Sequence, residues 1–373
     1  MQQRWPVLLM VRELGLGGSE RQMTLMAASL DRETFDPRVG CFRPAGIRRA
    51  DLDAARVPVV EFPVRSFASL SAPRGALALI RYLRRERIAL VHAFDYPTAL
   101  LLAAVSPFCP GTRFLSSQRS HRDLNTAWTR RALRIADRMM DAVVVNCRFI
   151  ERHLVEQEGL PPSKVRLCYN GIDTDQFTPA PRAPLAGFNE ASIVAGVVSA
   201  LRPEKDLPTL LRAFAAARRS QPALKLLIVG SGSQEAALHS LAGELQITPY
   251  CKFVPATADV STWLRSIDIF VLPSISEAFS NSLMEAMACG CAVVASRVGG
   301  NPELVRHEQT GLLFEAGDAG GLAACLTRLA ADAALRQSLA QRAAAAIQAG
   351  FSASFAARNL AKIYGEMIRQ PRS

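Results

Sequence analysis

From Pro6 onward the chain repeats one pattern: a short β-branched or aliphatic run, a turn, then a longer stretch of helical spacing. Each strand then needs a crossover helix before the next, so the pattern specifies parallel sheets covered by helices. In the first half it predicts strands near 6–11, 36–42, 57–62, 88–93, 112–116, 141–146 and 165–169, with helices over 18–30, 74–86, 124–140 and 147–157. Between residues 170 and 190 it lapses into NGIDTDQFTPAPRAPLAGFNE, whose Pro and Gly content reads as a linker. It restarts at SIVAGVVSA (192–200) and continues through LKLLIVG (224–230), CKFV (251–254), DIFVL (268–272) and CAVVAS (291–296). A length of 373 residues also suits two domains better than one. The expected fold class is α/β, with two doubly wound domains facing a central cleft. Residues 1–183 form the first domain and 184–351 the second, and a helix over 352–373 packs back towards the first.

Composition removes several classes. Hydrophobic residues make up 49% and charged residues 21%, which excludes a disordered or fibrous chain. The eight cysteines show no zinc-like spacing and mostly sit in apolar runs, as inert thiols in a reducing cytoplasm do. The opening MQQRWPVLLMVRE reads as a first strand and not a signal peptide. The longest apolar run, Ala99 to Val105, is far short of the roughly 20 residues needed to cross a bilayer.

The formal net charge of +11 is uneven: through Ala183 there are 27 basic against 18 acidic residues, and beyond it 17 against 15. Arginines cluster in RYLRRER and in TRRALRIADR, where Arg130, Arg134 and Arg138 form one helical stripe. The same helix places Leu124, Trp128, Ile135 and Met139 on one face. Such a stripe attracts anionic lipid, phosphorylated substrate or nucleic acid, or is simply a solvated face.

Ligands of open α/β sheets bind beyond the carboxyl ends of the strands, so three loops carry the candidate chemistry. RELGLGGSERQ follows the first strand; Gly15, Gly17 and Gly18 permit close approach, and a helix start there favours a phosphate. It is neither a P-loop nor GxGxxG, and a tight turn before a capped helix explains it equally well. SALRPEKDLPTLLRAF sets Arg202 and Lys205 before a helix that Asp206 can cap, two cations suited to a diphosphate. SISEAFSNSLMEAMACG holds Glu277 in a loop and Glu285 within the following helix. Two carboxylates there can accept hydrogen bonds from paired hydroxyls, while the amides of Phe279, Ser280 and Asn281 could face a phosphate. Glu285 also fits a capping box, Ser282-Leu-Met-Glu285.

The pattern EAFSNSLMEAMACGCAVVAS resembles the E-x7-E signature of family-four retaining glycosyltransferases, enzymes of two Rossmann-like domains known as GT-B. LGLGGSERQ, VRLCYNGIDTDQF, ALRPEKDLPTLLRAF and VGGNPELVRHEQTGLLF agree with it in order and spacing. The resemblance implies transfer of a sugar from a nucleotide-diphosphate sugar, UDP- or GDP-linked, to an acceptor hydroxyl. It places Glu285 on the ribose, Glu277 on the donor sugar, and Arg202 with Lys205 on the diphosphate. It also places Gly17 and Gly18 near the donor and Glu303, Leu304 and Val305 near the nucleotide. His121 is its candidate beside the transferred sugar and His92 the rival. Ala278 and Ser280 stand where family members often carry Gly, which leaves the donor open.

The resemblance further implies same-face attack with the departing phosphate as base, and a glycan or glycolipid acceptor in surface polysaccharide assembly. No Cys/His metal cluster is evident, so the expectation is no metal and no cofactor. The basic first domain suggests a cytoplasmic protein peripheral on an anionic inner leaflet, through the Arg stripe and FPVRSFASLSAPRG. An NAD-dependent oxidoreductase would need GxGxxG followed by an acid. A nucleic-acid binder would need basic motifs with stacking aromatics, and none is found. A sugar-nucleotide epimerase of the same architecture remains open.

Overall fold

The computed structural model describes residues 4–122, 126–181, 185, 187–189 and 191–370. Leu124 and Glu190, on which the sequence reading drew, lie outside them. The chain divides into two compact units: 1–171 with 353–373, and 172–352.

The N-terminal unit is built on a seven-stranded parallel sheet: β1 (Trp5–Glu13), β2 (Phe35–Arg43), β3 (Val59–Glu61), β4 (Leu90–Ala93), β5 (Arg113–Gln118), β6 (Ala142–Val145) and β7 (Val165–Leu167). Its order is β3-β2-β1-β4-β5-β6-β7, so the direction of winding reverses between β1 and β4. The central residues of β1, Val7 to Val11, are wholly buried because helices cover both faces. One face meets the helix Gly18–Ser29 and the late helix Ala353–Arg369 through Leu9, Met26, Leu360 and Tyr364. Each such buried aliphatic side chain contributes roughly 1.5–3 kcal/mol. Tyr364 is fully buried, and its hydroxyl lies 2.8 Å from His92 Nδ1.

The C-terminal unit has a six-stranded parallel sheet: β8 (Ile193–Val198), β9 (Leu224–Val229), β10 (Cys251–Val254), β11 (Ile269–Leu272), β12 (Ala292–Ser296) and β13 (Leu312–Phe314). Its order, β10-β9-β8-β11-β12-β13, reverses between β8 and β11. Both units therefore have the doubly wound topology that places ligands at the reversal point.

The units divide at Gly171/Ile172 and not at the expected 183/184. Residues following Ile172 are held within the second unit. Ile172 N–H donates to Phe351 O, Arg265 binds the carbonyls of Gln176 and Thr178, and Pro179 packs beside Gly290. A composition typical of linkers does not reveal such backbone tethers.

The helix Ala127–Met139 settles a direction that spacing left open. Trp128, Ile135 and Met139 share a face as predicted, but it points outward, at 82%, 55% and 41% exposure. The buried side carries Leu133, Ala136 and Asp137. Asp137 is tolerated there because it pairs with the buried Arg122.

Candidate functional site

In the C-terminal unit the loops after β8, β11 and β12 are tied together by their own backbone. Ile275 N–H donates to Glu204 O at 3.0 Å, Gly300 N–H to Ala278 O at 2.7 Å, and Ser296 Oγ to Ser274 O at 2.6 Å. Across the β8/β11 reversal point, Lys205 Nζ donates to Glu277 Oε2 at 2.6 Å, and Ser274 Oγ donates to the same oxygen at 3.3 Å. The pair is mostly buried, its side chains 19% and 14% exposed. Arg202, three residues earlier, is largely exposed, with a loose 4.0 Å contact to Glu204.

Two capping expectations are corrected. Asp206 occupies the N-cap of the helix Leu207–Arg218, but its side chain makes no capping hydrogen bond. It sits instead at φ 46°, ψ 46°, a left-handed conformation uncommon for a residue other than glycine. The helix Asn281–Ala288 is capped by Ser280, whose hydroxyl accepts from Leu283 N–H at 3.3 Å. Glu285 therefore lies beyond the first turn, and the Ser282–Glu285 box does not form. It is nonetheless 3% exposed. A carboxylate buried this deeply needs a partner, and Glu285 has one within the protein. Phe279 is buried and faces the Phe351 ring at 5.7 Å, and Asn281 opens the helix. Glu303 and Leu304 lie in the helix Asn301–Leu304, and Val305 follows it, buried.

Gly299, Ser274 and Asn301 were missed by the sequence reading. Gly299 has φ +53°, and a Cβ there would collide with the Glu277 carbonyl oxygen. Gly299→Ala should thus both strain the loop and push Glu277 off Lys205. We expect a fall in unfolding midpoint together with loss of activity, checked by calorimetry and turnover of the purified variant; full activity would show that the loop relaxes. Asn301 is wholly buried, donates Nδ2 to Ser296 O at 3.0 Å, and leaves its Oδ1 without a partner.

In the N-terminal unit, Gly17 is the N-cap of the helix Gly18–Ser29 and offers no side-chain cap. The Glu20 carboxylate folds back over Gly17, into the space a Cβ would take. Burial pushes the Glu20 carboxyl upward, helped by the charges of Asp95 and Glu13. The glycine loop thus already holds a carboxylate where a phosphate was expected.

At the β1/β4 reversal lies a cavity of about 100 Å³, with Ser19, Asp95, Ser117, Arg119 and Ser120 in its wall. His121 is outside that lining; its ring packs on Phe149 and His153, with centroids at 5.7 and 4.7 Å. His92 is wholly buried, with Tyr364 Oη and Ser117 Oγ each 2.8 Å from a ring nitrogen. Burial, and then the charge of Arg119, hold it neutral well below the usual imidazole range. Arg119 itself, like Asp95, was missed. Both stand where strands end, the signal available to sequence reading, but His121 drew attention two residues on.

Residues 185–346 match the model for glycosyl transferases group 1, and residues 16–176 match that for glycosyltransferase family 4. The chain is similar to D-inositol 3-phosphate glycosyltransferase of Salinispora arenicola, 33% identical over 61% of this chain and 55% of that protein. It is also similar to the protein of that name from a Mycobacterium species, 33% identical over 75% of this chain and 61% of that one. The match thus spans just over half the length of these relatives. In fold it resembles Anabaena HepE in complex with UDP and glucose, with TM-score 0.84 and 22% identity, covering 96% of this chain and 99% of that one. Sucrose-phosphate synthase of Thermosynechococcus elongatus gives 0.81 and 19%, covering 98% and 99%. The fold is GT-B, two Rossmann-like domains, and the chain belongs to the family-four, group 1 glycosyltransferases.

Proposed function

We propose that the chain transfers a sugar from a nucleotide-diphosphate sugar to an acceptor hydroxyl with retention of configuration. The observation that carries this reading is the Lys205–Glu277 pair at the β8/β11 reversal point, one helical segment from the buried Glu285. Glu285 holds the ribose and Glu277 the donor sugar, while Lys205, Arg202 and the amides of Phe279, Ser280 and Asn281 take the diphosphate. As the anomeric C–O bond breaks, its electrons pass to the diphosphate, which those cations stabilise. The acceptor oxygen attacks from the same face, and its proton passes to the departing phosphate. Gly17 and Gly18 admit the donor once the Glu20 carboxylate swings aside.

UDP-sugars are the favoured donors, because HepE is described with UDP and with UDP-glucose. The chemistry is assigned to lysine and arginine without a metal. Among the described residues no group of three or more His, Cys, Asp or Glu is placed to hold one. The acceptor is a glycan or glycolipid of surface-polysaccharide assembly, met on the cytoplasmic side of an anionic membrane. Support comes from Trp128, Ile135 and Met139 facing outward beside Arg131, Arg134 and Arg138, an interfacial pattern. Among the described residues no helix is long and apolar enough to cross a membrane.

The test is donor consumption by the purified chain with UDP-glucose, UDP-N-acetylglucosamine, GDP-mannose or NAD, with and without chelator. Chelator-insensitive release of UDP supports the reading. Conversion of the donor to an epimer without UDP release, or a response to NAD alone, would replace it.

A further inference from the structure

We propose that Arg119 forms an oxyanion subsite in the N-terminal unit, so that the acceptor carries a phosphate or carboxylate group; this rests on the transferase reading above. RSHR at the end of β5 contains two arginines with opposite surroundings. Arg122 is buried and neutralised by Asp137 and Glu158. Arg119 has no carboxylate partner among the described residues. Its Nη1 donates to the neutral amide oxygen of Asn170 at 2.7 Å, and its guanidinium lies 4.7 Å from the centre of the Phe94 ring. Its Nε is buried with no acceptor among the described residues.

An arginine half-buried without a counter-charge is unfavourable, and here desolvation lowers its pKa to about 10. A planar fork with unused donors in a cavity wall matches the geometry of a phosphate or carboxylate. Ser19 and Ser120 line the same cavity and can add neutral donors, while Ser117 Oγ is taken by His92. Asp95, a carboxylate in the same cavity wall, is already engaged. It accepts from Arg12 N–H at 2.6 Å, Thr98 N–H at 3.0 Å and Thr98 Oγ1 at 2.6 Å, and burial pushes its carboxyl upward. Asp137, also in the lining, is paired with Arg122.

The test is calorimetric titration of the intact chain with inorganic phosphate, glucose 6-phosphate, glucuronate and glucose, and separately with UDP. Wild type should bind the anionic probes and not glucose. Arg119→Gln should weaken them on the order of tenfold or more, as expected for losing a charged hydrogen-bond partner, with UDP affinity unchanged. Arg119→Lys should fall between. Asn170→Asp, which supplies the missing counter-charge while keeping the arginine, should also weaken the anionic probes and guards against misfolding of the first variant. Anionic probes that bind Arg119→Gln as well as wild type, or fail to bind wild type while UDP binds, would overturn the subsite alone. Loss of UDP binding in Arg119→Gln would reassign the guanidinium to the donor. Absence of UDP binding by wild type would instead remove the transferase reading.

Discussion

Glu285→Ala should abolish the thermal stabilisation that a UDP-sugar confers on the wild-type chain, while leaving the unliganded protein folded. Glu285 lies past the first turn of a helix capped by Ser280, so its removal leaves the cap intact. Alanine is the strongest helix former, so the helix itself tolerates the change. The unliganded variant is therefore expected to unfold in one cooperative transition, as the wild type does. At about 100 times the dissociation constant a ligand adds roughly 2.7 kcal/mol. For a unit of this size that corresponds to a shift of roughly 5–10 °C. Differential scanning with UDP-, GDP-, ADP- and dTDP-sugars would identify the donor base in wild type. A shift that survives in the variant would show that another group holds the ribose.

Lys205→Ala should cost about 10²–10³-fold in kcat, the usual loss when one preorganised donor to a developing oxyanion is removed. In the unliganded structure Lys205 is held by Glu277 and is mostly buried, so it meets the diphosphate without first being ordered. The variant also leaves Glu277 without its cation and with only Ser274 as a hydrogen-bond donor among the contacts described above. Arg202→Ala should cost much less, because Arg202 is 66% exposed and only loosely placed. Steady-state kinetics of both variants, with Lys205→Arg as the charge-preserving control, separate a loss in kcat from one in KM. Equal losses at positions 202 and 205 would mean that burial does not preorganise Lys205.

The doubly wound architecture was legible because alternating apolar runs and helical spacing leave few topologies, and strands such as Ile193–Val198 fall where the pattern put them. The short β13, Leu312 to Phe314, was not among the predicted strands, although β3 and β7 of the same length were. Tyr96–Val105 is helical but apolar nearly all round, so spacing reveals no face. For Ala127–Met139, spacing identified a shared apolar face but not its direction, since only tertiary pairing shows that Asp137 belongs inside. At the candidate site, Glu277 and Lys205 stood out as charges at strand ends. Which serine caps Asn281–Ala288, and so whether Glu285 is free of that duty, depends on backbone angles that sequence does not display. Arg119 was hidden for a related reason: among many arginines, what sets it apart is the absence of a carboxylate neighbour in space.

The N-terminal unit is completed by the helix Ala353–Arg369, whose Leu360, Ile363 and Tyr364 belong to its core. During synthesis that helix begins 182 residues (353 − 171) after the first segment of its unit ends. At 5–20 residues per second the delay is roughly 10–40 s. Through that interval one side of the first sheet lacks part of its cover, beyond what the helix Gly18–Ser29 supplies, while the second unit, continuous in sequence, is still being made. The first unit to leave the ribosome is thus the last able to finish folding.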